Sequence, residues 1–295
     1  HGGTQHEHDE AERDGDEDHA ATVALAASSG PPAAPAAPGV ERPLHRADPR
    51  PIRPQRAARP GASIGSRIVS RRLVSPQIAR SWLLVPASQP DLFETAQASD
   101  ADAIIIDLED AVAAKDKRQA RKDTVAWLNS GHRAWVRIND ASSDFWSDDC
   151  AALKQAEGLE GVMLAKSESS SHVDDTADRL PDGVRILALV ETARGVQQVE
   201  RIANAPATFR IAFGTGDFKR DTATGEDPLA LAYARSQLVI ASRAARLPAP
   251  IDGPTLDLAK LPEGTSHAKE MGMSGKLCLT HAHASTINEG LSPSH

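Results

Sequence analysis

The 295 residues carry a formal net charge of −8, and a hydrophobic content of 40% excludes a fibrous or membrane-embedded chain. No run approaches the roughly 18 apolar residues that span a bilayer, and no signal segment opens the sequence, so we predict a cytoplasmic protein. The two cysteines, Cys150 and Cys278, lack the spacing of a redox or metal motif, which favours buried thiols in a reducing compartment.

Residues 1–78 are predicted to be a disordered, low-complexity tail. This stretch has no Phe, Trp or Tyr but half of the twenty prolines, so it cannot bury enough apolar area to offset the entropy of ordering. Residues 41–72 contain nine arginines without an aromatic residue to stack on a base, so no nucleic acid is expected as a partner. A loose metal site at the tail's histidines and an anionic partner for its arginines are alternatives to a solvated tail.

From Ser81 onward, short apolar runs alternate with longer amphipathic segments, which indicates repeated βα units and a parallel sheet. Eight strands are predicted, at 82–85, 103–107, 134–138, 161–165, 185–190, 210–213, 250–252 and 276–279. Eight helices are predicted, at 92–99, 115–128, 148–157, 172–179, 196–203, 229–245, 266–271 and 285–290. This count predicts an α/β protein with a (β/α)8 TIM barrel over residues 79–295. The seventh strand is the weakest, because Pro248 and Pro250 limit its ladder hydrogen bonds.

A doubly wound open sheet is the alternative architecture. It requires a glycine-rich turn after the first strand, and Val85-Pro86-Ala87-Ser88 does not supply one. The barrel is therefore the preferred fold.

Polar residues follow five consecutive predicted strands, at the strand ends where a barrel places its active site. Any one of them alone could be a helix cap or a surface ion pair. Together, at one rim, they predict a functional site. The segments are Asp107-Leu108-Glu109-Asp110, Arg137-Ile138-Asn139, Lys166-Ser167-Glu168, Glu191-Thr192-Ala193-Arg194-Gly195 and Gly214-Thr215-Gly216-Asp217.

Glu191 and Asp217 offer hard oxygen ligands without a thiolate or a close histidine pair, which favours Mg²⁺ and permits Mn²⁺. A metal held by two carboxylates keeps open positions that a bidentate 2-oxo acid, or its enolate, could fill. The planar fork of Arg137 suits the carboxylate of such a substrate. Glycines at 195, 214 and 216 allow a close approach of backbone to ligand. Gly214-Thr215-Gly216 lacks the third glycine of a nucleotide-binding loop.

Eight motifs in order resemble the citrate lyase beta-subunit-like, or CoA-ester lyase, branch of the HpcH/HpaI aldolase superfamily. The resemblance covers residues 80–295. The motifs are RSWLLVPAS at 80–88, DAIIIDLEDAV at 102–112, KRQAR at 117–121, WVRIN at 135–139, LAKSES at 164–169, LALVETARGV at 187–196, FGTGDF at 213–218 and GMSGKLCL at 272–279.

The resemblance implies a Mg²⁺-dependent lyase that cleaves or condenses citryl-, malyl- or citramalyl-CoA-like thioesters, usually as a homotrimer or hexamer. It implies metal ligation by Glu191 and Asp217, and catalytic roles for Arg137, Glu109 and Asp110. We place Arg137, Lys166 and Gly216 at the substrate, which would be a 2-oxo acid together with a CoA thioester.

The chain departs from the family pattern in three places. Ala87 and Gln89 stand where members carry a glycine and a basic residue that meet the CoA phosphates. His281 and His283 follow the last strand and are either new acid–base groups or, as we favour, exposed loop histidines. The sequence ends before the lid that brings a catalytic aspartate in longer members, so no acid–base partner is assigned. Alternatives are an aldolase for free 2-oxo-4-hydroxy acids and a non-catalytic metabolite-binding barrel.

Overall fold

Eight parallel strands close into a barrel in the computed structural model, which describes residues 74–293. Each strand pairs with the next in sequence and the last pairs with the first, so the predicted (β/α)8 TIM barrel is confirmed. Strands β1 to β8 are Ser81–Pro86, Ala103–Asp107, Ala134–Ile138, Leu159–Leu164, Arg185–Val190, Thr208–Phe213, Ile251–Asp252 and Gly275–Cys278. Helices α1 to α10 are Phe93–Gln97, Lys117–Asn129, Trp146–Leu153, Ser170–Arg179, Ala193–Gln197, Val199–Ala203, Thr215–Thr222, Ala232–Ala244, Leu261–Glu270 and Ala284–Gly290.

Most of the predicted tail, residues 1–73, lies outside the described residues, and its disorder stays a prediction. Within residues 74–293 several helices differ from the prediction; α9, for example, begins at Leu261 rather than at residue 266, and α3 ends at Leu153 rather than at residue 157. Helix α7 is not among the predicted helices, because Thr, Gly and Asp dominate its sequence and have low helix propensity. The predicted helix over 196–203 begins earlier, at Ala193, and is two short helices, α5 and α6, which meet at Gln198.

Apolar side chains of the strands alternate between two layers, as the pleat of a strand requires. Leu83 and Val85 of β1 pack towards the helices, whereas Trp82 and Leu84 pack inside the barrel. Trp82 meets Trp135 edge to face, with 5.5 Å between the ring centroids. The interior is therefore a packed core, and a ligand has to bind at one end of the barrel.

Arg210, on β6, is fully buried and donates hydrogen bonds mainly to backbone carbonyl oxygens. Its guanidinium lies 2.7 Å from the carbonyl oxygen of Ala249, 3.0 Å from that of Ala79 and 3.2 Å from that of Pro76. Burial lowers the pKa of Arg210 to about 9. These bonds attach the segment that precedes β1 to the amino-terminal end of the barrel.

The predicted burial of the two cysteines is confirmed, whereas the predicted exposure of the two loop histidines is confirmed for only one of them. Cys150 and Cys278 are buried free thiols, as predicted, and burial raises the pKa of each to about 12. His281 is exposed, but His283 is only 7% exposed, so the expectation of an exposed loop histidine is wrong there, because a short helical turn packs it inward. Among the described residues, the structure has no helix long and apolar enough to cross a membrane.

Strand β7 is the shortest part of the barrel wall, as predicted. It is paired with β6 through Ala212 and Ile251 only, and with β8 at two positions. Beside it, the buried carboxylate of Asp252 accepts hydrogen bonds from Arg235 at 3.0 Å and from Lys276 at 2.9 Å. Burial acts to raise the pKa of Asp252, but these two cations outweigh it and keep that pKa below its usual value. Charged contacts therefore support the barrel where the ladder is short.

Candidate active site

Charged side chains from five neighbouring βα units converge at the carboxyl end of the barrel. Glu109 and Asp110 lie in the loop after β2, Lys166 follows β4, Glu191 follows β5, and Asp217 lies in the first turn of α7. With the side chains that pair with them, they form a set that we name the rim cluster: Asp107, Glu109, Asp110, Arg137, Lys166, Glu191, Asp217 and Arg220.

Arg137 is clamped by two carboxylates from the neighbouring unit. Because Arg137 lies opposite Asp107 in the β2–β3 register, its Nε and Nη2 atoms reach Asp107 at 2.7 and 2.6 Å. Its Nη1 atom is 3.0 Å from Glu109 Oε2. Burial acts to lower the pKa of Arg137, but Asp107 and Glu109 outweigh it and raise that pKa. The fork is therefore a permanent, rigidly oriented cation.

Lys166 contacts three carboxylates at once. Its Nζ lies 2.5 Å from Glu109 Oε1 and 3.7 Å from Asp217 Oδ2. Its backbone N–H donates to Glu191 Oε1 at 2.8 Å. The residue has a φ of +43°, a left-handed conformation that is uncommon for a residue with a side chain. The turn after β4 therefore directs both the amine and the amide of Lys166 into the rim cluster.

Glu191 is a buried carboxylate with a strongly perturbed titration. Only 2% of the residue is exposed, and burial raises its pKa to about 8, with further contributions from the charges of Glu109 and Asp217. Gly214 packs directly against it, and a Cβ at that position would overlap Glu191 Oε2. Arg137 and the backbone N–H of Lys166 act to lower this pKa but do not outweigh burial, so a proton or a cation would relieve the buried charge.

The geometry of the carboxylates can be compared with the predicted metal pair, Glu191 and Asp217. Ligand oxygens of Glu109, Asp110 and Asp217 lie within 4.8 Å of one another, and this group does not include Glu191. With Glu191 ionised, the five carboxylates of the rim cluster outnumber its three cations by two charges, which is the charge of one divalent ion. An all-oxygen donor set with this deficit fits Mg²⁺ or Mn²⁺.

Every residue assigned to the site from the sequence lies at this end of the barrel, although their individual roles stay predictions. Gly216 is the second residue of α7, and only the guanidinium of Arg220 comes within 4 Å of the space that a Cβ there would occupy. Lys117 and Arg220 are absent from the predicted site, and Asp107 is included there only as part of the polar segment after β2, without a role. Arg220 could have been anticipated, because it lies three residues after Asp217 on one helix face, and the two side chains form an ion pair.

Lys117, at the start of α2, supports the site by binding the backbone of the loop that carries Glu109. Its buried amine donates to the carbonyl oxygens of Leu108 at 2.8 Å and Glu109 at 3.0 Å, and to Asn139 Oδ1 at 2.7 Å. Burial lowers the pKa of Lys117 even though Asp149 and other acids lie nearby. The amine therefore fixes the backbone from which the Glu109 side chain projects.

We expect Lys117→Met to destabilise the protein, because the buried Asn139 Oδ1 loses its donor, while the carbonyl oxygens of Leu108 and Glu109 each keep one of two donors. An unpaired buried group costs about 1–3 kcal/mol, and urea unfolding should show a loss of about that size. The matched control is Lys122→Met, the same change at an exposed position of the same helix, which should lie near wild type. An equal effect of the two substitutions would contradict the supporting role of Lys117.

Comparison with known proteins decides the family. The model of the HpcH/HpaI aldolase/citrate lyase family matches residues 80–281. The chain belongs to this family. The predicted family resemblance is thereby confirmed, and with it the assignment of the chain as a lyase-family enzyme.

Two relatives are similar to most of the described part of the chain. A protein named (3S)-malyl-CoA thioesterase from Cereibacter sphaeroides is 34% identical over 225 residues, which cover 73% of this chain and 78% of that protein. A citrate lyase subunit beta-like protein from Deinococcus radiodurans is 31% identical over 239 residues, covering 74% of this chain and 81% of that protein.

A solved structure from the same family carries ligands. The CitE protein of Mycobacterium tuberculosis, crystallised with magnesium, acetoacetate and coenzyme A, superposes with a TM-score of 0.65 at 28% identity. The superposition covers 74% of this chain and 83% of that one.

Proposed function

We propose that the protein is a Mg²⁺-dependent carbon–carbon lyase that cleaves or condenses a 3-hydroxy-acyl-CoA thioester of the citryl-, malyl- or citramalyl-CoA type. The observation that carries the proposal is the rim cluster itself, in which an excess of carboxylates surrounds a rigid arginine fork at the mouth of the barrel. The magnesium, acetoacetate and coenzyme A bound by the CitE relative support both the ion and the thioester.

The metal would be held by Glu191 and Asp217, with Glu109 and Asp110 beside it. When bound, the ion would polarise the oxygen at the carbon where the bond breaks and offset the negative charge that develops there. The close approach of ligand oxygens from Glu109, Asp110 and Asp217 supports placing the ion at this rim. The buried carboxylate of Glu191, whose charge Arg137 and the N–H of Lys166 offset only in part, supports its share in binding the ion.

Arg137 would hold the carboxylate of the 2-oxo acid. A guanidinium has five N–H groups, and its contacts with Asp107 and Glu109 engage at most three of them. The remaining two can meet a substrate carboxylate in a fixed orientation. In the cleavage direction the hydroxyl proton leaves, the bond between the hydroxyl-bearing carbon and the carbon next to the thioester breaks, and the resulting acyl-CoA enolate takes up a proton.

Two other reactions are compatible with specific observations. The 34% identical thioesterase favours hydrolysis of the thioester as a second candidate. An aldolase for free 2-oxo-4-hydroxy acids is the other, because residue 89, where a basic side chain is expected to meet CoA, is an exposed glutamine. The homotrimer or hexamer, the cytoplasmic location and the absence of a nucleic-acid partner stay predictions.

An assay of the purified full chain separates these reactions. With Mg²⁺ and citryl-, malyl- or citramalyl-CoA, a lyase releases a shorter acyl-CoA and an oxo acid, whereas a thioesterase releases free CoA and the intact hydroxy acid. A free-acid aldolase would instead release pyruvate from a free 2-oxo-4-hydroxy acid in an assay that contains no CoA compound. We expect acyl-CoA and oxo acid, with no product after chelation by EDTA or in an Asp217→Asn variant. Products that form equally with EDTA would refute the proposal.

A further inference from the structure

The amine of Lys166 lies between two carboxylates of the rim cluster. It lies 2.5 Å from Glu109 Oε1 and 3.7 Å from Asp217 Oδ2. These two residues, with Asp110, are the ones whose ligand oxygens gather within 4.8 Å. The Lys166 ammonium therefore contacts two of the three carboxylates that gather at the candidate metal site.

The backbone at Lys166 maintains this placement. In its left-handed conformation the residue donates its N–H to Glu191 Oε1 at 2.8 Å while its side chain turns towards Glu109. The Lys166 side chain is 35% exposed, whereas that of Glu109 is only 5% exposed. The amine can therefore move towards solvent on its flexible stem, but the buried carboxylate cannot follow it.

We propose that Lys166 is a resident counter-ion of the metal-free site, and that a divalent ion displaces its amine from Glu109 and Asp217 when it binds. The inference rests on the proposed function, because it takes the metal site to be at the rim cluster. An ammonium and a divalent ion cannot share these oxygens at close range, since like charges repel strongly in a partly buried site. Lys166 thus stabilises the carboxylates before the metal arrives and weakens metal affinity by competition.

The metal affinity of Lys166 variants tests the proposal without an activity measurement. Free Mn²⁺ is counted by electron paramagnetic resonance during titration of the full chain. We expect Lys166→Met to bind Mn²⁺ about tenfold more tightly than wild type, because one competing unit charge is removed at close range. The control Lys219→Met changes a lysine on α7 that pairs with Glu226 at 2.6 Å, and its affinity should match wild type.

The opposite results overturn the proposal. Weaker Mn²⁺ binding by Lys166→Met would show that the amine assembles the metal site rather than competes for it, and unchanged binding would show that it does neither. Absence of Mn²⁺ binding to wild type and variant alike would refute the metal site and this inference together. Mn²⁺ binding without lyase products would instead refute the proposed reaction and leave the counter-ion role to be decided by the affinities.

A second variant and a measurement on the wild-type protein keep the proposal testable if Lys166→Met does not fold. Lys166→Gly also removes the amine but suits the positive φ, so it should show the same gain in affinity. In the wild-type protein, acetylation of lysines followed by peptide mass spectrometry should show that Mg²⁺ increases the labelling of Lys166, relative to Lys219. Protection of Lys166 by Mg²⁺ would contradict displacement.

Discussion

Glu191→Gln should abolish Mg²⁺ binding and make the metal-free protein less sensitive to alkaline pH. The pKa of Glu191 in the folded protein is about 8, against an ordinary value of 4.5. A carboxyl group with a raised folded-state pKa contributes stability that is complete below its ordinary pKa and is lost as the pH rises through the folded value. The wild-type protein without metal should therefore lose stability between about pH 5 and about pH 9, whereas glutamine has no proton to lose.

Urea unfolding at several pH values, with EDTA or with Mg²⁺, measures this effect. Without metal, the free energy of unfolding of Glu191→Gln should rise relative to wild type as the pH increases, and Mg²⁺ should restore the wild type but not the variant. Glu200→Gln, at an exposed position of α6, controls for the loss of one carboxylate and should follow wild type. A difference between wild type and Glu191→Gln that does not vary with pH would contradict the raised pKa.

Arg137→Lys should lower kcat/KM by a factor of about 100 or more, although the charge is retained. Lysine cannot reproduce the fork that reaches both oxygens of Asp107 at 2.7 and 2.6 Å while leaving N–H groups for a substrate. The loss should include a higher KM, because binding of the oxo-acid carboxylate would also weaken. The effect should be larger than that of any change outside the rim cluster.

The matched control for this substitution is Arg133→Lys. Arg133 lies just before β3, is 57% exposed, and pairs with Glu160 at 3.3 Å, so its replacement should leave kcat/KM near wild type. Steady-state kinetics with the thioester that proves to be the substrate measures both variants. Circular dichroism and thermal unfolding show whether Arg137→Lys is folded. A folded Arg137→Lys with wild-type kinetics would remove Arg137 from the substrate site.

The strand ends could be located from the sequence because apolar runs and the polar residues that follow them are local signals. Those signals are sufficient to place Glu191 and Asp217 at one rim of the barrel. Side-chain contacts between different βα units could not be predicted from the sequence. The pairing of Arg137 with Asp107 depends on the register of β2 against β3, and Lys117 reaches Asn139 from 22 positions away in sequence.

Backbone conformation set a second limit. A lysine gives no warning of a positive φ, which is normally signalled by glycine or asparagine. The direction of the Lys166 side chain, and hence its contacts with Glu109 and Asp217, could not be inferred from the strand pattern. Helix α7 could not be predicted either, because its residues have low helix propensity and it forms where the chain leaves β6.

The short seventh strand has a consequence for how the barrel fluctuates. With one paired position between β6 and β7, against five between β1 and β2, this seam should open more often than the rest of the wall. Backbone amides of Ala212 and Ile251 should then exchange with solvent deuterium sooner than those at the centre of β2. Because β6 leads directly into the helix of Asp217, opening of this seam would reach the candidate metal-binding end of the barrel. Added salt should change the opening little, because the ion pairs of Asp252 beside the seam are buried and poorly screened.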